Sequence, residues 1–274
     1  MQPADIAVEL RPRSAWEAMD LGLAMLQRWW RALLLPHAIV LGTVALAASA
    51  LAAALGRPGI AFVLLWWLKP LYDRVLLHVL SRAVFGELQR ARAVLGAPRA
   101  WLGSGLVPYL LLRLWPDMAR SFRLPVRQLE GNRGRAARER QSVLGRRTGA
   151  SAVWLTIVCM NFEAVLYWSL LLVATLLLPA KAYEARDFFA PFTEAGAWSW
   201  THVLAYAATV FVVEPFYVAG GFALYLNRRT LLEGWDLEVA LRRLAERHVA
   251  AAVAVLLALG GLLAPGASYA QKDP

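Results

Sequence analysis

An all-α, polytopic membrane helix bundle is the fold class this sequence predicts, on three observations. Hydrophobic residues make up 59% of its 274 positions, above the roughly half usual in soluble domains. From Ala32 to Gly56 the chain runs 25 residues without a formal charge, more than the ~20 that cross a ~30 Å hydrocarbon core. Thirteen Arg fall between Gly86 and Arg147 against Glu87, Asp117, Glu130 and Glu139, the asymmetry of a side retained by positive charge. The net charge of +10 is therefore read as loop charge and not as a nucleic-acid interface. A single cysteine, Cys159, leaves no intrachain disulfide framework and no cysteine metal cluster.

The elements follow in order within one transmembrane domain spanning 1–274. Ser14-Ala15-Trp16-Glu17 is a capping box. Behind it, Trp16, Met19, Leu23, Leu26 and Trp30 recur at helical steps, which predicts an interfacial amphipathic helix over 14–30. The first span is 32–56. The breaking turn Gly56-Arg57-Pro58-Gly59 returns the chain antiparallel into a second span, 60–84. A basic cytoplasmic loop, 86–147, contains one apolar stretch, Trp101 to Trp115, of only 15 residues. That is too short to cross upright and reads as re-entrant or interfacial. The polar, Arg-rich stretch Glu130 to Gly149 reads as a mobile loop near anionic headgroups. Spans three, four and five are 150–178, 199–226 and 249–264, which places the N-terminus in the cytoplasm and the C-terminus outside, in the periplasm of a bacterial inner membrane. At the end, Ser268-Tyr269-Ala270 sets small residues two apart behind an apolar run, like a cleavage pattern. Either an internal start-transfer helix handing on to an external domain or a plain final anchor fits; the former makes this the membrane part of a longer protein.

"LRPRSAWEAMDLGLAMLQRWW" and "FALYLNRRTLLEGWDLEVALRRLA" resemble the entry helix and a late helix of the bacterial glycerophosphoryl diester phosphodiesterase membrane-domain family. The family's second motif has a tyrosine, an arginine pair, then Glu-Gly and an acid; here these are Tyr225, Arg228, Arg229, Glu233, Gly234 and Asp236. The resemblance implies a membrane module that anchors or assists, with an extracytoplasmic domain often following the last helix. No phosphodiesterase domain accompanies it, so that activity does not carry over. At this junction Asn227 or the arginines are expected to bind the last carbonyls of span four, with Arg228 and Arg229 near phosphate headgroups.

Charges inside the spans mark the candidate site. Lys69, Asp73 and Arg74 lie in the second span, Glu163 in the third and Glu214 in the fourth. Each costs ~2.5–3.5 kcal/mol at mid-bilayer if unpaired, so the five should form an intramembrane network, with Lys69 facing Glu214. "KPLY" (Lys69 to Tyr72) and "EPFY" (Glu214 to Tyr217) share an order of residues, which suggests duplicated helix pairs, kinked at Pro70 and Pro215. Ala219, Gly220, Gly221 and Ala223 offer a small-residue surface for close helix contact.

No catalytic residues are assigned. His37, His78, His202 and His248 are scattered, and neither a zinc-protease nor a nucleophile-elbow motif occurs. No metal or cofactor is expected. The first reading is a non-enzymatic module that anchors or assembles a protein partner or its own external domain, with membrane lipid around it. The alternative is a small-molecule or lipid transporter. They differ in one feature: a transporter needs polar, accessible space beside Glu163 and Glu214, and an anchor seals it.

Overall fold

The computed structural model describes residues 7–9, 11–102, 106, 110, 117–177 and 198–234, and among them the regular elements are all helices. In chain order they are α1 (Ala15–Ala54), α2 (Pro58–Trp67), α3 (Lys69–Val84), α4 (Ala91–Gly96), α5 (Pro98–Leu102), α6 (Arg120–Gln128), α7 (Gly134–Leu177) and α8 (Trp200–Glu233). Three of them, α1, α7 and α8, are long and apolar enough to cross a membrane. The fifth expected span, Asp236, and most of the 101–115 and 179–198 stretches lie outside the described residues.

Helix α1 starts where the capping residues place it. The Glu17 amide donates to Ser14 Oγ at 3.2 Å, whereas the Glu17 carboxylate turns to Arg11. Only one half of the box is therefore used. The expected interfacial helix and first span are one 40-residue element, jointed at Trp29 (φ −116°, ψ 20°). The expected second span is two helices. Leu68 (φ −86°, ψ 7°) separates them, and Pro70 stands in the first turn of α3, where its missing N–H removes no intrahelical bond. Lys69 is thus the first residue of a new helix inside the apolar region. Helix α3 is buried along almost its whole length, Tyr72, Asp73, Leu76, Leu77 and Leu80 having no exposed surface.

One expectation is corrected by the remaining helices. The stretch read as a mobile loop is helical from Gly134, so α7 runs unbroken for 44 residues, about 66 Å at 1.5 Å per residue. Its Arg, Ala, Glu and Gln are strong helix formers, and Ala137, Leu144 and Thr148 give the basic half a buried stripe. Pro215 lies inside α8, which carries helical backbone from Trp200 to Glu233. The proline frees the Phe211 carbonyl, and buried His37 of α1 covers that level, its ring stacked on Phe211 at 5.7 Å. Equivalence of "KPLY" and "EPFY" is therefore not local: one begins a helix, the other lies within one.

Helix α8 is the axis of the bundle, and glycine sets its spacing. A Cβ added at Gly22 would stand 2.7 Å from the Ala219 carbonyl oxygen and 2.8 Å from Gly220 Cα, and one at Gly221 would stand 2.4 Å from Ser121 Cβ. Backbones of α1 and α6 reach α8 only because no side chain intervenes. Helix α7 instead turns Trp154, Met160, Phe162, Val165, Leu172 and Leu176 outward, an apolar face suited to acyl chains.

Candidate functional site

Four helices converge on one ion cluster. Lys69 Nζ, at the start of α3, lies 2.5 Å from Glu163 Oε2 of α7 and 3.2 Å from Glu214 Oε2 of α8. Arg120, at the start of α6, sets Nη2 2.6 Å from Glu214 Oε1 and Nε 2.5 Å from Asp73 Oδ2 of α3. Glu214 therefore bridges two cations, and the chain runs Glu163, Lys69, Glu214, Arg120, Asp73. Asp73 and Glu214 are 0% and 2% exposed. Burial on this scale is tolerable only because each charge meets an opposite one in a fixed geometry. Aromatic faces close the cluster, with Lys69 Nζ 5.9 Å from the Tyr206 ring and Arg120 Cζ 5.2 Å from the Tyr217 ring.

Of the five expected members, Lys69, Asp73, Glu163 and Glu214 come together. Arg74 borders the same cleft as Asp73 and Arg120, its Nη1 donating toward the Trp101 carbonyl at 3.4 Å and its own carbonyl accepting from Gln128 Nε2 at 2.8 Å. Arg120 is unmarked in the sequence, since it lies within the basic segment and outside every apolar run. A count was the available signal: Lys69 and Arg74 against Asp73, Glu163 and Glu214 leave one carboxylate short of a cation. Arg120 reaches the site because Ser121 beside it seats on Gly221, and the Ser121 amide donates to Tyr217 Oη at 3.2 Å.

A cavity of about 550 Å³ opens against this cluster. Lys69, Arg120, Glu163 and Glu214 line one part, Thr156 and Cys159 another, and Phe62, Trp66, Tyr167, Trp168 and Tyr206 an aromatic wall. Its size falls within the 300–1,000 Å³ typical of small-molecule sites. Convergent charge beside aromatic surface suits a molecule with a polar head and an apolar body. Among the described residues, no His, Cys, Asp and Glu side chains are grouped as metal ligands.

A second ion cluster stands at the basic end. Arg140 Nε and Nη2 grip Glu130 at 2.9 and 3.2 Å, and Tyr225 Oη donates to Glu130 Oε1 at 2.8 Å. Glu233 accepts from Arg229 at 2.8 Å and also meets Arg140. Partial burial would raise the Glu130 carboxyl, but hydrogen bonds from Arg140 and Tyr225 outweigh it and hold the group below the usual 4.5. The expected junction residues thus act differently from expectation. Helix α8 continues past Asn227 and ends on left-handed Gly234 (φ 63°), whose amide donates to the Thr230 carbonyl at 3.0 Å. Asn227 instead clasps the chain before α1, donating to the Arg13 carbonyl and accepting from the Arg13 amide, both at 2.9 Å. Arg228 Nε donates to the Leu144 carbonyl at 3.2 Å.

Compared with protein-family models, curated proteins and solved structures, the chain finds no match.

Proposed function

We propose that this chain is a non-enzymatic, multi-pass module of a bacterial inner membrane that binds an amphipathic small molecule or lipid beside its ion cluster. The observation that carries the proposal is the cavity of about 550 Å³ bounded by Lys69, Arg120, Glu163 and Glu214. An anchor alone would favour packed side chains there, since each buried charge raises the cost of the fold. For that reason the binding reading is preferred over anchoring or assembly of a partner. The fuller topology belongs to the same proposal: five spans, the basic 86–147 segment in the cytoplasm with the N-terminus, and the C-terminus outside. Thirteen arginines in that segment support it. So does the meeting of the two stretches that resemble the phosphodiesterase membrane domain, through the Arg13 and Asn227 clasp. A duplication of helix pairs would set Lys69 and Glu214 at equivalent levels, which suits their 3.2 Å contact.

The test fills the cavity without touching a charge. Ala164 lines it and is exposed, so Ala164→Trp should occupy the space while the protein still folds. Native mass spectrometry of protein released from lipid nanodiscs should then show a retained lipid or small molecule on the wild type and its loss in the variant. No adduct on the wild type, or equal adducts on both, would sink the reading.

A further inference from the structure

The start of α1 and the basic halves of α7 and α8 enclose a second cavity, of about 500 Å³. Arg13, Arg147 and Arg228 line it, with Thr148 and Asn227 between them, and Leu231 and Leu232 form an apolar wall. No carboxylate is among its lining residues. Arg13 Nε has Glu17 Oε1 3.9 Å away, but among the described residues Arg147 and Arg228 meet no acid, unlike the cations of the two ion clusters. Arg229, the neighbour of Arg228, is engaged by Glu233 and Tyr225, so the two halves of the arginine pair serve different ends.

The Arg147 and Arg228 guanidinium groups share one space and repel one another; the Arg228 bond to the Leu144 carbonyl holds one of them there, while Arg13 is clasped by Asn227 at its backbone and its Nη1 donates to the Glu9 carbonyl at 2.8 Å. The arrangement is favourable when an anion fills it. Guanidinium is planar and forked, matching the oxygens of a phosphate better than a single halide. The Thr148 hydroxyl and the first turn of α1, through Ala15, add neutral donors and the positive end of a helix dipole. We infer that this pocket binds an anionic phosphate group whose charge is not balanced within its own molecule. A lipid headgroup and a free phosphate share that chemistry.

The experiment follows thermal unfolding of the full chain in neutral detergent with three additives: phosphatidylglycerol, phosphatidylcholine and inorganic phosphate. A ligand of the folded state raises the midpoint in proportion to the logarithm of its concentration. Phosphatidylglycerol should raise it and phosphatidylcholine should not. A rise with phosphatidylglycerol but not with inorganic phosphate identifies a headgroup site that also uses the leucine wall; equal rises with both identify a site for free phosphate. Arg147→Gln with Arg228→Gln should remove at least half of the rise, while Arg135→Gln, an exposed arginine on the same helix paired with Glu139, should keep it. Should the double variant fail to fold, Arg147→Gln alone replaces it, because that side chain is exposed. Equal effects of the two lipids with none from phosphate, or an undiminished rise in the arginine variants, would overturn the inference.

Discussion

The two ion clusters use the same functional groups in opposite surroundings. Glu214 and Asp73 are buried between four helices, whereas Glu130 and Glu233 meet Arg140 and Arg229 at side chains that are 10–27% exposed. Water at the basic end can replace a lost partner readily; at Asp73 and Glu214, 0% and 2% exposed, it can do so far less. The teaching of the contrast is that an ion pair's weight follows the fate of the group left behind.

The sharpest attempt to break this contrast removes one cation from each cluster. Arg120→Leu leaves Asp73 and Glu214 facing each other and should cost about 3–5 kcal/mol of stability. Arg140→Leu should cost about 1 kcal/mol or less. Chemical denaturation of both variants in detergent decides the matter, and equal losses would end the distinction. Charge exchange sharpens the inner cluster further. Lys69→Glu with Glu163→Lys restores an ion pair at the same two places and should recover much of the damage of either single change. Lys69→Glu with Glu214→Lys should recover less, because the new lysine would face Arg120. Double-mutant cycles on thermal stability measure both couplings, which fall in the range ~0.5–3 kcal/mol for contacting groups. A larger coupling for the 214 exchange would show that Arg120 does not hold Glu214.

Next in size is a packing change that carries no charge. Gly221→Val would drive a side chain into Ser121, displacing α6 and so Arg120, at about 1–3 kcal/mol. Its effect should shrink in an Arg120→Leu background, since the residue to be positioned is already gone. Strict additivity of the two would deny glycine that role.

The smallest effect is a pH dependence confined to the basic end. Glu130 has a lowered carboxyl pKa in the folded chain, so its pairing stabilises the protein above the unfolded value near 4.5 and is lost as pH falls through the lower folded value. The midpoint gap between wild type and Glu130→Gln should therefore be widest near neutral pH and narrow as the solution is acidified below pH 4.5. A gap that widens on acidification would reverse the assignment.

The inner carboxylates were legible because each interrupts a long apolar run, where hydropathy makes a charge conspicuous: Asp73, Glu163 and Glu214 with Lys69. Arg120 was not, since its surroundings are polar and basic and nothing local marks a side chain destined for the interior. What places it is a non-local fit, Ser121 on Gly221, and small residues announce closeness without naming the partner. Similar reasoning covers the basic half of α7. Its glycines and arginines resemble a solvated linker, yet Ala137, Leu144 and Thr148 lie at helical spacing and the Glu130 grip on Arg140 secures the start. Asn227 or the arginines would cap the helix if it ended with the apolar run at 226; the stop is Gly234, seven residues beyond Asn227, where a left-handed backbone suits glycine.

Helix α7 is also a mechanical part. Arg140 in the outer cluster and Glu163 in the inner one sit on the same uninterrupted rod, about 35 Å apart at 1.5 Å per residue. A rod longer than the bilayer is thick cannot shorten when the membrane thins; it leans. The grip at Arg140 and the cavity edge at Glu163 therefore share one lever, and a lean of that lever moves both.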